Sequence, residues 1–308
     1  MVKLIYKIAA GKIRRDSSTN DKKRDAGRKT PDDIVRYDNI LYGDDVKWKK
    51  WQLLDVYRPR SAVSDSGELK ALPVIVIVHG GAWVYGDKDV YQFYAMNLAQ
   101  RGFAVVNYSY RLAPEVRFPA SLEDTEKVFE WICNKASVYG FDTQNVFAAG
   151  DSAGGHLLGL YASALSNPDY GANFPFIRNK NLVLRGLALN CGKYRMHADL
   201  DTNPQLRLLL NAFMPQGGSL DELKLIDASA HVTNNFPPTF VMTCRGDFLL
   251  SEAAFMKEAL ENAEVRHEFR CYGTEEEPLW HVFHCTIDLP QAVLCNDEEC
   301  AFFKSCMA

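Results

Sequence analysis

Six consecutive residues, Pro73-Val74-Ile75-Val76-Ile77-Val78, limit what this chain can become more than any other stretch. After the proline every side chain is β-branched, which stiffens χ1 and favours extended backbone. A strand with one wet face would alternate apolar with polar residues, so an unbroken run needs cover on both faces, as at the centre of a parallel sheet. The chain downstream supplies that cover. Helical periodicity runs over about 90–101 and strand pattern over 103–107. A helix follows over about 120–139, a strand over 146–149, a helix over about 152–165 and a strand over 183–189. This alternation implies parallel pairing through right-handed crossovers, so the expected class is α/β, a mostly parallel central sheet flanked by helices.

The flanks fit the same plan. Strand-like segments at 37–41 and 53–57 precede the central run, separated from it by a turn-rich loop at 61–67. Between about 192 and 232 the rhythm breaks into Asn, Gly and Pro punctuation around one apolar helical patch at 206–213, the pattern of an inserted cap or lid. Alternation then resumes with strand 239–243, helix from about 252 to 262, strand 265–272 and a last helix from about 290. At 308 residues the expected organisation is one large domain, with residues 1–30 as an N-terminal cap or arm.

Charge excludes one class of partner. The formal net charge of −4 gives no overall pull toward nucleic acid. Its distribution is uneven: residues 1–30 hold ten Lys/Arg and three Asp, a local +7 that leaves the remainder at −11. A solvated tail or cap edge accounts for such an arm more simply than a membrane or partner contact does. Five of the eight cysteines lie in the last 38 residues, but no CxxC occurs and no spacing matches a zinc motif, so free thiols and no metal are expected. Lys7 interrupts the apolar N-terminal run, and no stretch approaches the ~20 apolar residues of a membrane span. The expected location is reducing and cytoplasmic.

The strongest chemical signal is Gly150-Asp151-Ser152-Ala153-Gly154, set between a predicted strand and a predicted helix. A nucleophile on that sharp turn needs small residues two positions either side, because larger ones would strike the neighbouring strand and helix. Ser152 then needs a base and an orienting acid later in the chain. Asp247, just past the 239–243 strand, is the expected acid, with Glu252 in reserve. His281, in the loop after the 265–272 strand, is the expected base, with His284 in reserve and His267 structural. The tetrahedral intermediate needs preorganised amide donors. His79-Gly80-Gly81-Ala82-Trp83 follows directly on the central run, so Gly80 and Gly81 are expected to donate together with Ala153, while His79 is structural.

Together these segments resemble the hormone-sensitive-lipase-like α/β-hydrolases, also called bacterial family IV esterases. The matching pieces are His79-Gly80-Gly81-Ala82-Trp83, Tyr110-Arg111-Leu112-Ala113-Pro114-Glu115 with Phe118-Pro119-Ala120 and Asp124, Gly150-Asp151-Ser152-Ala153-Gly154-Gly155, and His281-Val282-Phe283. They cover roughly residues 50–290 in the family's order. The resemblance implies an α/β-hydrolase fold, hydrolysis of short-acyl esters without a cofactor, and a bracing role for Tyr110 to Glu115 and Asp124. Two positions depart from it: Ala82 replaces the usual third glycine, a variant similar to kynurenine formamidases and small acetyl esterases, and Phe248 follows the acid where the family has proline. The reading is therefore a serine carboxylesterase. Arylformamide cleavage and removal of acetyl groups from sugars are the alternatives, and a non-catalytic ligand-binding protein on a hydrolase scaffold is the remote one. The partners implied are a small-molecule ester and, as an option, a second copy in a homodimer.

Overall fold

The computed structural model describes residues 4–179, 182–196 and 203–308. The helices are α1 (Leu4–Arg24), α2 (Lys88–Ala99), α3 (Ala120–Tyr139), α4 (Ala153–Ser166), α5 (Pro168–Gly171), α6 (Pro204–Phe213), α7 (Leu220–Leu225), α8 (Leu250–Asn262) and α9 (Pro290–Ser305). The strands are β1 (Ile34–Leu41), β2 (Leu53–Pro59), β3 (Leu72–Val78), β4 (Ala104–Tyr108), β5 (Phe141–Asp151), β6 (Leu184–Asn190), β7 (Thr239–Cys244) and β8 (His267–Tyr272). They form one sheet in the order β1-β2-β4-β3-β5-β6-β7-β8. β1–β2 and β2–β4 pair antiparallel, and every pairing from β4 onward is parallel.

The β-branched run is β3, between β4 and β5. Its alternate residues explain why no polar side chain interrupts it. Val74, Val76 and Val78 face the layer built by α3, α4 and α8, while Ile75 and Ile77 face the layer built by α2 and α9. All five are at most 1% exposed. The chain steps from β3 outward to β4, then returns across β3 to β5. The crevice between the carboxyl ends of β3 and β5 is thus the topological switch point where ligands collect in open α/β sheets.

The expected α/β architecture is borne out, and the departures have physical reasons. β5 starts at Phe141 rather than 146, because the register skips between Pro73 and Val74 and so accommodates the polar stretch Asp142 to Asn145. α3 has the expected bounds and ends on Gly140 in the left-handed conformation, with φ 61°. The apolar patch at 206–213 is α6, started by Asn203, whose side chain accepts from Leu206 N–H. Residues 197–202 of the insertion lie outside the described residues.

The largest departure is the N-terminal segment, which forms the 21-residue helix α1. Only Tyr6 and Ala10 of it are buried, so apolar periodicity gave little sign of docking. Polar anchors hold it instead. Arg14 donates to Val84 O at 2.7 Å, to Ala113 O and to both carboxylate oxygens of Glu115. Tyr85 Oη donates to Asp21 at 2.7 Å, and Tyr6 Oη to Asn211 of α6. All eight cysteines are free. No described helix is long and apolar enough to cross a membrane.

Because Ile75 is fully buried between β4 and β5, Ile75→Ala should cost about 2–5 kcal/mol. Urea denaturation should show a lowered midpoint with an unchanged slope.

Candidate active site

β5 ends at Asp151, α4 begins at Ala153, and the turn between them is Ser152 alone, at φ 52° and ψ −118°. A non-glycine residue rarely adopts this conformation and persists in it only where the surroundings over-determine it. Here Ser152 N–H donates to Asn190 O of β6 at 2.9 Å, and the two glycines remove every competing side chain. A Cβ on Gly150 would sit 2.7 Å from Gly154 O, and one on Gly154 would strike the carbonyls of Val78 and His79. The glycine spacing read from the sequence is therefore a steric requirement of the turn.

Asp247 and His281, 34 positions apart, meet at the carboxyl end of the sheet. His281 Nδ1 lies 2.8 Å from Asp247 Oδ1, which also accepts Leu249 N–H at 2.8 Å. The acid's side chain is fully buried and the imidazole is 19% exposed. Burial works against ionisation of Asp247, but the hydrogen bond and positive charge of His281 and the Leu249 amide outweigh it and hold its pKa below the ordinary value. With Nδ1 turned to the carboxylate, Nε2 is the ring nitrogen left to face a substrate proton. Val282 turns the chain at φ 55°, and Phe283 is buried against Tyr272, with ring centroids 5.4 Å apart. His281 and Ser152 line one cavity of about 710 Å³.

The reserve residues have other engagements. His284 is fully buried edge-on to Tyr94, where burial pushes its pKa down to about 3. Glu252 accepts from Lys193 Nζ at 2.7 Å and from the amides of Tyr194 and Arg195, bracing the loop after β6. His267 Nδ1 bonds Val265 O at the start of β8.

The amide-rich loop after β3 corrects one expectation. Gly80 N–H donates to Tyr91 Oη at 2.9 Å, and that hydroxyl donates to Asp151 Oδ2 at 2.8 Å, so Gly80 has no amide to offer a substrate. Gly81 and Ala82 N–H make no hydrogen bond among the described residues, and Ala153, as the first residue of α4, has no partner one turn back. Ala82 and Trp83 sit consecutively at φ 53° and 62°. This strained pair is held from outside: Trp83 Nε1 donates to His156 Nδ1 at 3.1 Å, whose Nε2–H donates to Ile226 O, and the indole stacks on Phe213 of α6. His79 Nδ1–H bonds Gly80 O and its ring stacks on Tyr110 at 4.0 Å; burial lowers its pKa to about 4, fitting a neutral, structural ring. Tyr110 Oη donates to His79 O, while Asp124 accepts from Arg111 and Gln52.

Sequence reasoning missed the part played by Tyr91 and Asp151 and the helical form of the N-terminal arm. Tyr91 carried no motif signal, because it reaches the site from the first turn of α2. Ser17 and Asn20 of α1 line the cavity with Ser152, and a second cavity of about 720 Å³ also reaches Ser152, lined by Ala153, Leu206, Leu209 and Leu249. Among the described residues, Cys191, Cys244 and Asp247, all buried, hold metal-ligand-type atoms within 4.8 Å of one another.

The α/β-hydrolase-fold family matches residues 75–285, from β3 to just past His281. This chain belongs to the α/β-hydrolase family. Among curated relatives it is 36% identical over 138 residues to esterase LipC of Mycobacterium tuberculosis, covering 44% of this chain and 32% of that protein. It is 29% identical to the versiconal hemiacetal acetate esterase of Dothistroma septosporum, over 65% of this chain and 64% of that one. The chain thus spans less than two thirds of the length of these relatives. Esterase B from Lactobacillus rhamnosis has the same fold at a TM-score of 0.87 and 22% identity, covering 99% of this chain and 96% of that one. The hormone-sensitive-lipase-like resemblance read from the motifs is borne out.

Asp151 yields a pH prediction. Burial, opposed by the Tyr91 hydrogen bond, raises its pKa from 3.8 to about 6. The folded chain therefore holds this proton more tightly than the unfolded one, so the stability it contributes is full below about pH 4 and is lost as pH rises through 6. Asp151→Asn, which still accepts from Tyr91, should flatten that stretch of the stability–pH curve and gain on the order of 1–3 kcal/mol at pH 7 by chemical denaturation.

Proposed function

We propose that this protein is a serine carboxylesterase that hydrolyses short-acyl esters through an acyl-enzyme on Ser152. The observation that carries the reading is the shared cavity, which joins the strained Ser152 turn to an imidazole already oriented by a buried carboxylate. His281 Nε2 takes the hydroxyl proton as Oγ attacks the ester carbonyl, and Asp247 stabilises the imidazolium that forms. The tetrahedral oxyanion is met by the amides of Gly81, Ala82 and Ala153, fixed before the reaction and so costing no reorganisation. His281 then protonates the departing alcohol, and water repeats the sequence in reverse on the acyl-enzyme.

Proton delivery sets the orientation of the substrate. The leaving oxygen must lie on the His281 side, so the alcohol occupies the cavity that His281 lines, and the acyl group occupies the one lined by Leu206, Leu209 and Leu249. The acetate ester named for the Dothistroma relative supports a short acyl group. We read α1 as the cap over both cavities and the described part of the 192–232 insertion as the cap over the second, within a single domain. Every group in this scheme comes from one chain, so turnover needs no homodimer. Eight free thiols support a reducing, cytoplasmic setting.

Ser152→Ala should lower turnover of p-nitrophenyl acetate and butyrate by roughly 10³–10⁶. Retention of more than about a hundredth of wild-type turnover contradicts the assignment. Rates on N-formylkynurenine and acetylated xylo-oligosaccharides, measured beside these, should fall below those on the aryl esters. For the orientation, Leu206→Trp should cut kcat/KM for hexanoate relative to acetate by about tenfold or more. An unchanged chain-length profile places the acyl group elsewhere.

A further inference from the structure

We infer that the outer face of α1 docks this protein onto an anionic lipid surface. At 3.6 residues per turn, Leu4, Ile5, Ile8, Lys12 and Arg15 fall opposite the stripe Tyr6, Ala10, Ile13 and Ser17 that faces the body. The inward contacts of the helix, chiefly its polar anchors, account for how it is held. They do not account for Leu4, Ile5 and Ile8, whose exposures are 72%, 53% and 63%. Three large apolar side chains stand in water at one end of an otherwise polar helix.

The charge on that face selects the occupant. Lys12, Arg15 and Lys22 lie on that face and Lys7 and Lys23 flank it; all five are exposed, and none forms an ion pair among the described residues. The two remaining basic residues of the helix, Arg14 and Arg24, are the ones turned inward onto Glu115, Asp21 and Asp25. With −11 on the chain beyond residue 30, the molecule is polarised and would turn its helix toward a negative surface. A second copy is disfavoured, because it would set two basic faces against each other. Large exposed apolar residues beside lysines suit a helix that lies in the plane of a membrane interface and does not span it. Three apolar side chains adsorb weakly by themselves; basic residues near anionic lipid supply the rest. The same helix lines the Ser152 cavity with its inner face, and exposed Phe248 and Trp280 line that cavity too, so docking would bring the cavity close to the lipid.

The test is co-sedimentation of the full-length protein with vesicles of phosphatidylcholine alone and of phosphatidylcholine with phosphatidylserine, at low and high salt. Binding to the phosphatidylserine vesicles should exceed that to neutral ones by at least about tenfold and should fall steeply with salt. Ile5→Asp combined with Ile8→Asp should abolish it. Hydrolysis of soluble p-nitrophenyl butyrate should be unchanged in that variant, which shows that it is folded. Absence of sedimentation, equal binding to both vesicle types, or wild-type binding by the double variant each overturns the inference. So does a concentration-dependent dimer that the double variant disperses, since the face would then be covered by a second copy.

Discussion

The approach of Gly154 to the carbonyls of Val78 and His79 is the contact on which the rest of the site depends. It presses the start of α4 against the end of β3, leaving no room for a side chain between them. Because β3 and β5 pair in parallel, both strands deliver their carboxyl ends to the same edge, and the contact fixes how far apart the Ser152 turn and the amides of Gly81 and Ala82 lie. The strained conformations at Ser152, Ala82 and Trp83 follow the carboxyl ends of β5 and β3, whose last residues are almost completely buried. Rigid packing below holds what the local backbone would not adopt alone.

Electrostatics divides two carboxylates within a few residues of the same chemistry. Asp247 meets an imidazole and an amide and is held below its ordinary pKa, whereas Asp151 is raised by burial, which its bond from a phenol hydroxyl only partly offsets. Environments that push neighbouring acids apart in this way give them different tasks. Asp247 is suited to an imidazolium partner. Asp151, through Tyr91, ties the loop at Gly80 to the strand that ends at the Ser152 turn, so the engaged amide of Gly80 tethers the loop carrying those of 81 and 82.

Much of this was legible in the sequence, and what was not follows a pattern. The β3 run, the helix at 120–139, the Ser152 turn and the association of Asp247 with His281 all rest on local chemistry: β-branching, 3.6-residue periodicity, glycine spacing and strand-end placement. The sequence could not show which amide another group would claim, because Tyr91 reaches Gly80 from a helix with no motif of its own. It could not show that residues 4–24 dock over the site, because α1 is held by Arg14 and Asp21 contacts of long sequence separation and not by an apolar stripe. Glu252 looked like an alternative acid until its oxygens were found on Lys193 and two backbone amides.

The central claim is that Ser152 is a nucleophile activated through His281. The most direct measurement is peptide mass spectrometry after reaction with a fluorophosphonate, comparing wild type with His281→Ala. The account predicts a single adduct on the peptide carrying Ser152 in the wild type and labelling slowed by at least about a hundredfold in the variant. An adduct at another serine, or labelling of Ser152 at the same rate without His281, would contradict it.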